Sequence, residues 1–280
     1  MFARGRLGYL FTLSRPRFWL YLAGPVVVGV AFAAETTSEL FSLPAVLLFA
    51  YFLVPGNVLL YGVNDVFDAD VDEENPKKDD REARWRGDAV VVAAIALSFL
   101  LGLGLFAVLP ARTWPYLAGF FLLGVEYSAP PFRFKTTPFL DSVSNGLYVL
   151  PGVAAFAAVS GRHPPAVAIV GAWTWAMGMH TFSAIPDIEP DREAGIRTTA
   201  TFLGESRTYL YCATCWLVAS GAFFLVDWRF GALLLAYPVA VFGIARSGVA
   251  VERAYWWYPA LNTLVGMALT MGALWVMLYE

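Results

Sequence analysis

Two acidic groups hold the residues best suited to chemistry. Asn64-Asp65-Val66-Phe67-Asp68-Ala69-Asp70-Val71-Asp72 follows directly on the apolar run Pro44 to Val63, and Asp187-Ile188-Glu189-Pro190-Asp191 follows a second apolar run, Pro165 to Ile185. If the helix continues past Asn64 at about 100° per residue, Asp65, Asp68 and Asp72 fall within roughly 60° of one another, with Asp70 on the opposite face. Three carboxylates on one stripe make a site for a divalent cation. Asp187 and Asp191 are spaced i, i+4, which on a helix would put them within about 40°. Pro186 and Pro190 can break such a helix, so the spacing argues for proximity and not for a conformation. Mg²⁺ prefers oxygen ligands, keeps some of its water, and is commonly held by one or two carboxylates together with substrate phosphate. The chemistry these residues suit is therefore metal-assisted binding of a phosphorylated substrate. Asp70, Glu73, Glu74, Asp79 and Asp80 read instead as a solvated loop.

Basic and polar groups complete the set. Arg133 and Lys135 lie in Tyr127-Ser128-Ala129-Pro130-Pro131-Phe132-Arg133-Phe134-Lys135, and Arg197 lies just beyond the second acidic group. Arg suits bidentate phosphate recognition and Lys a point-charge contact, although each taken alone is also what the cytoplasmic loops of a membrane protein carry. Asn57 and Tyr61 precede Asp65 by two turns and one turn on its face, and Ser144, Asn145 and Tyr148 follow Asp141 at +3, +4 and +7. Intramembrane polar residues face the interior, so these stripes are predicted to line a cavity below the acidic mouth, with His180, seven residues before Asp187, among them. Rings at Phe67, Tyr127, Phe132, Phe134, Trp173 and Trp175 lie in or near the same segments. Aromatic faces attract cations and are suited to sheltering an allylic carbocation; an interfacial belt accounts for most Trp and Tyr in any membrane protein.

These residues must be positioned by membrane helices. The 280 residues are 59% hydrophobic and only 15% charged, and the mean hydropathy is +0.60, far from the balance of a soluble domain. The expectation is an all-α integral membrane protein, one domain over residues 1–280, with about nine transmembrane helices around a central cavity that opens to the cytoplasmic side. The spans are Phe18 to Ala34, Pro44 to Phe67, Ala89 to Leu109, Trp114 to Tyr127, Phe139 to Ser160, Pro165 to Ile185, Thr208 to Val226, Phe230 to Ser247 and Trp256 to Tyr279. With this layout, sixteen of the 19 Lys and Arg fall on one side, and Arg112, Arg162 and Arg229 on the other. That places the N-terminus and the acidic loops in the cytoplasm. The basic residues are scattered, so no nucleic-acid partner is expected. Cys212 and Cys215 form a C-x-x-C spacing inside an apolar span and read as packing, not redox or zinc chemistry.

The pattern resembles the UbiA superfamily of intramembrane prenyltransferases over essentially the whole chain. Asn64, Asp65, Asp68 and Asp72 match its N-D-x-x-D-x-x-x-D motif, and Asp187 and Asp191 match its D-x-x-x-D motif. The resemblance implies that both motifs bind an isoprenyl diphosphate through Mg²⁺, with loop basic residues completing the cradle. Ser14 to Trp19, Tyr127 to Pro138 and Ile185 to Thr199 look most like the subgroup that elongates lycopene in bacterioruberin-type carotenoid synthesis. That likeness implies transfer of a five-carbon group from dimethylallyl diphosphate to lycopene within the lipid bilayer. The alternatives are an aromatic quinone precursor or a glycerol-phosphate lipid as acceptor and, in a different class, a cation or proton transporter using the same carboxylates.

Overall fold

The computed structural model describes residues 6–68 and 87–279, and among them the chain is helical with no strand. Asp70 and Asp72 lie outside the described residues. In order the helices are α1 (Arg6–Leu13), α2 (Trp19–Ala33), α3 (Leu43–Leu53), α4 (Pro55–Phe67), α5 (Ala89–Val108), α6 (Trp114–Glu126), α7 (Leu140–Ser144) and α8 (Leu150–Ser160). They continue as α9 (Ala166–Ser183), α10 (Ile188–Glu193), α11 (Thr199–Leu203), α12 (Glu205–Phe224), α13 (Trp228–Leu234), α14 (Ala236–Ser247), α15 (Val251–Tyr255) and α16 (Tyr258–Tyr279). Helix is the element that satisfies its own backbone donors and acceptors where no water is available.

Among the described residues, six helical segments are long and apolar enough to cross a membrane: Pro16–Ala33, Leu43–Phe67, Ala89–Val108, Leu140–Ser160, Trp228–Ser247 and Val251–Tyr279. The other three expected spans are helical as well. Helix α6 has 13 residues, about 20 Å at 1.5 Å per residue against about 30 Å of hydrocarbon. Helix α9 carries Thr174, His180 and Thr181, and α12 opens on Glu205, Ser206 and Arg207, which lowers their apolarity.

Three expected spans are interrupted, one of them at Leu235, between α13 and α14. Between α3 and α4 the backbone breaks at Val54 (φ −125°, ψ −62°), because Pro55 has no N–H to give to α3. Between α7 and α8 the chain tightens into a 3₁₀ stretch, Asn145–Tyr148, and Pro151 follows it.

The described residues cluster into two compact units. One contains the residues up to Phe132 together with Pro151–Arg162; the other contains Arg133–Leu150 and the residues from His163 onward. In the first unit Phe52 and Phe120 meet edge to face at 4.9 Å, and both are buried. Such a pair contributes about 0.5–1.5 kcal/mol beyond its area. In the second unit Phe182, Trp216, Tyr237 and Tyr258 form the centre of a buried aromatic cluster, with Phe182 stacked on Tyr258 at 4.9 Å. Cys212 and Cys215 are buried thiols in this unit, in keeping with a packing role.

Apolar burial drives helix association weakly in a bilayer, so close packing must do more of the work. Gly29 of α2 and Gly152 of α8 provide it in the first unit. A Cβ on Gly29 would lie 2.1 Å from the Gly152 carbonyl oxygen, and one on Gly152 would lie 2.5 Å from that of Pro25. Gly152→Val should therefore yield little monodisperse protein from detergent and lower the melting temperature. Gly104→Ala, on α5 with nothing within 4 Å of the added carbon, should leave the melting temperature unchanged or raise it, by up to about 1 kcal/mol of stability.

Candidate active site

In the first unit the acidic end of α4 is built from side chains of three segments. Asp65 is buried, at 1% exposure, and its Oδ1 accepts from the Arg15 guanidinium at 3.1 Å. Arg15 lies 4.6 Å above the Tyr61 ring, one turn before Asp65, and that ring is buried. The electron-rich face and the carboxylate thus hold one cation from two sides. Arg15 adopts φ 48°, a left-handed conformation rare for a residue with a Cβ, as it leads into the 3₁₀ turn Pro16–Phe18. Strain of this kind persists only where surrounding contacts fix it.

Asn64 does the same for the next carboxylate. Its amide nitrogen donates to Asp68 Oδ2 and to Ser128 Oγ, both at 2.9 Å. Asp68 caps the C-terminus of α4, so the helical spacing of Asp65 and Asp68 holds to the point where the helix ends. Tyr127 caps α6 beside Ser128, its backbone N–H donating to Leu123.

Asn57, expected to line a cavity, is occupied elsewhere. It is fully buried and its amide nitrogen donates to the Phe52 and Leu53 carbonyls at 2.9 and 3.1 Å. These carbonyls lie at the break made by Pro55, and the Asn57 side chain satisfies them.

In the second unit Arg133 (φ 45°) leads into the 3₁₀ turn Phe134–Thr136, which carries Lys135; both basic side chains are half-buried. Asp187 closes the 3₁₀ turn Ile185–Asp187 and stands as the N-cap position of α10, whose first turn holds Asp191. Pro186 and Pro190 do not stop the helix, because each falls in a first turn where its missing N–H has no intrahelical acceptor. Both aspartates are half-buried, and Arg197 is exposed.

Asp141 is buried at 1% exposure, with Oδ2 accepting from the Thr199 N–H at 2.9 Å and Oδ1 from the Thr199 hydroxyl. The Thr199 hydroxyl also accepts from the Phe139 N–H at 2.7 Å. His180 Nε2 lies 3.9 Å from Asp141 Oδ2. The stripe expected along α7 turns back on its own backbone: Ser144 Oγ and Asn145 Nδ2 both donate to the Asp141 carbonyl, at 3.2 and 2.6 Å. Tyr148 ends the 3₁₀ stretch, half-buried.

Within one unit, then, Asn64, Asp65, Asp68 and Tyr61 come together with Arg15 and Ser128; within the other, Asp141, Asn145 and His180 come together with Thr199. Arg15, Ser128 and Thr199 were not among the expected site residues. Arg15 reads in sequence as one more loop cation, and no spacing rule connects it to an aspartate 50 residues away.

The described carboxylates fit a hard cation in kind, being oxygen donors of which Asp65 is already deep and charge-balanced. Among the described residues no three His, Cys, Asp or Glu side chains gather closely enough to hold an ion alone. Mg²⁺ held jointly by protein carboxylates, water and substrate phosphate needs no such cage.

The family model described as the UbiA prenyltransferase family matches residues 22–259. A lycopene elongase/hydratase of Haloferax volcanii is 74% identical over 96% of this chain and 90% of its own length. One from Halobacterium salinarum is 67% identical over 95% and 97%. Among solved structures, a UbiA homologue from Archaeoglobus fulgidus bound to DMAPP and Mg²⁺ shares the fold, with a TM-score of 0.74 at 24% identity over 95% of this chain and 98% of its own.

Removing either member of the Arg15–Asp65 pair should leave the other unbalanced in a poorly hydrated place. In a double-mutant cycle of Arg15→Met and Asp65→Asn, melting of the purified protein in detergent should show non-additivity equivalent to about 1–3 kcal/mol.

Proposed function

We propose, from the premise that this chain belongs to the UbiA prenyltransferase family, that it moves a dimethylallyl group from its diphosphate to lycopene, toward a C50 carotenoid. The chain is a multi-pass membrane enzyme that transfers prenyl groups. The observation that carries the choice of acceptor is identity of 65–74% with three lycopene elongase/hydratases over nearly the whole chain. A transporter reading of the same carboxylates is set aside by the family.

Asp65, Asp68, Asp72, Asp187 and Asp191 are the proposed ligands for Mg²⁺ and, through it, the diphosphate. Bound Mg²⁺ would offset the negative charge that develops on the leaving diphosphate. Asn64 holds Asp68 in place, and Arg133, Lys135 and Arg197 contact phosphate oxygens. The leaving group departs with the C–O bonding pair, and the allylic cation is attacked by the terminal double bond of the polyene. Exclusion of water at that moment prevents simple hydrolysis of the donor. Tyr61, Tyr127, Asn57, Asn145, Tyr148, Asp141 and His180 complete the proposed substrate surroundings. Asn57 and Asn145 act there through the backbone they brace.

The proposal includes nine membrane crossings with the N-terminus and the acidic helix ends in the cytoplasm, supported by the sixteen-to-three bias of Lys and Arg. With the native thiols buried, a cysteine at exposed Arg162 should react with an impermeant maleimide in intact cells. One at exposed Glu193 should react only after permeabilisation.

Membranes containing the protein, given dimethylallyl diphosphate, Mg²⁺ and lycopene, should form products heavier by one and then two C5 units. Asp68→Ala and Asp191→Ala should each lower that rate by about a hundredfold or more while the protein still inserts. Full activity in either purified variant, or products of unchanged mass from the wild type, would overturn the assignment.

A further inference from the structure

Five-carbon transfer leaves a problem that the diphosphate machinery does not address. When the terminal double bond of the acceptor attacks the allylic cation, the new carbon–carbon bond leaves a tertiary cation on the acceptor. That charge ends either by loss of a proton from a neighbouring carbon or by addition of water followed by loss of a proton from the oxygen. Each route needs a proton acceptor, and an ionisable pair inside a membrane helix bundle is a functional candidate by default.

The second unit holds such a pair. His180 lies in the last turn of α9, seven residues before Asp187, or about 10 Å along a helix. Its Nε2 faces Asp141 Oδ2 at 3.9 Å, and its side chain retains 20% exposure where Asp141 has 1%. Asp141 cannot readily serve as the base itself, because both of its oxygens already accept from Thr199. Those donors fix its direction. An imidazolium formed at His180 therefore has a carboxylate neighbour 3.9 Å away, close enough for charge attraction without a hydrogen bond.

The surroundings are polar to match. Thr181 Oγ1 donates to Ser142 Oγ at 2.8 Å, and the Tyr211 hydroxyl donates to the same oxygen at 3.0 Å. Ser142 of α7, Thr181 of α9 and Tyr211 of α12 thus form a hydrogen-bonded group, its first two members adjacent in the chain to Asp141 and His180.

We propose that His180 is the general base for hydration of the tertiary cation, with Asp141 as its positioning residue. A water oxygen bonds to the cationic carbon, an O–H bond breaks, and the proton passes to an imidazole nitrogen. The product is a tertiary alcohol and an imidazolium held beside Asp141, and no oxidant or further reactant is needed. The inference rests on the prenyl-transfer reading above.

The test supplies dimethylallyl diphosphate, Mg²⁺, lycopene and ¹⁸O-labelled water to the purified full chain. It follows two quantities: total C5 adducts, and the ratio of ¹⁸O-labelled alcohol to olefin among them. Wild type should give labelled alcohol. His180→Leu should lower the alcohol-to-olefin ratio among the adducts that form by about a hundredfold, the lower end of what a positioned base supplies. Asp141→Asn should shift the ratio in the same direction, and His180→Gln, which keeps much of the side-chain volume, should behave like His180→Leu. An unchanged ratio in both His180 variants overturns the proposal and leaves the diphosphate or another group as base. Loss of C5 addition in both His180 variants, each melting like wild type, overturns it too, since His180 then serves the transfer itself; if Leu unfolds the protein, Gln is judged by the same outcomes. Wild-type adducts with no labelled alcohol overturn the hydration step, whereas absence of any wild-type adduct overturns the prenyl-transfer reading instead.

Discussion

A carboxylate near hydrocarbon has to find its counter-charge or donors within the protein, and this requirement shapes the chain more than any other. Asp65 and Asp141 take their partners from distant segments, Arg15 and Thr199, and Asp68 takes Asn64 of its own helix. The cost of isolating such a charge is several kcal/mol, far more than the net value of the contact that relieves it. The partners are thus fixed in place as tightly as the acids. Two of the basic residues, Arg15 and Arg133, even occupy left-handed backbone conformations at the entry to short 3₁₀ turns.

The helix interruptions follow the same logic. Proline at 55 removes a donor from the α3 ladder, and the Asn57 amide answers the carbonyls so exposed. The 3₁₀ stretch at Asn145–Tyr148 is answered by Asn145 and Ser144, which return to the Asp141 carbonyl. Polar side chains that look in sequence like cavity lining are therefore partly the internal solvent of a broken helix. Once the backbone is satisfied, α4 can end at Asp68, where its acids are useful.

Most of the fold was readable because a membrane imposes a one-dimensional rule. Apolar runs of about 20 residues must be helices, and the runs at 89–108 and 140–160 are where the pattern puts them. The acidic motifs were readable because their spacing is local: Asp65 to Asp68 and Asp187 to Asp191 stay within two turns of chain. What local spacing cannot carry is partnership across distance. Arg15 with Asp65, Asn64 with Ser128 and Thr199 with Asp141 join residues 50, 64 and 58 positions apart. Asn57 keeps its helical register with Tyr61 and Asp65, all three lying in α4, but spacing does not tell that its amide turns to the Phe52 and Leu53 carbonyls. Residues 69–86, which include Asp72, lie outside the described structure, so that part of the first motif rests on sequence.

The contact between Gly29 and Gly152 bears on how this protein can change over time. A side chain that strikes another side chain can be accommodated by shrinking its neighbour, and the two positions can then drift together through a tolerated intermediate. Here the added carbon would strike main-chain atoms, those of Gly152 on one side and the Pro25 carbonyl on the other. No substitution elsewhere removes a main-chain carbonyl, so neither glycine has a compensating partner. A related chain that keeps this helix crossing should therefore carry glycine at both positions.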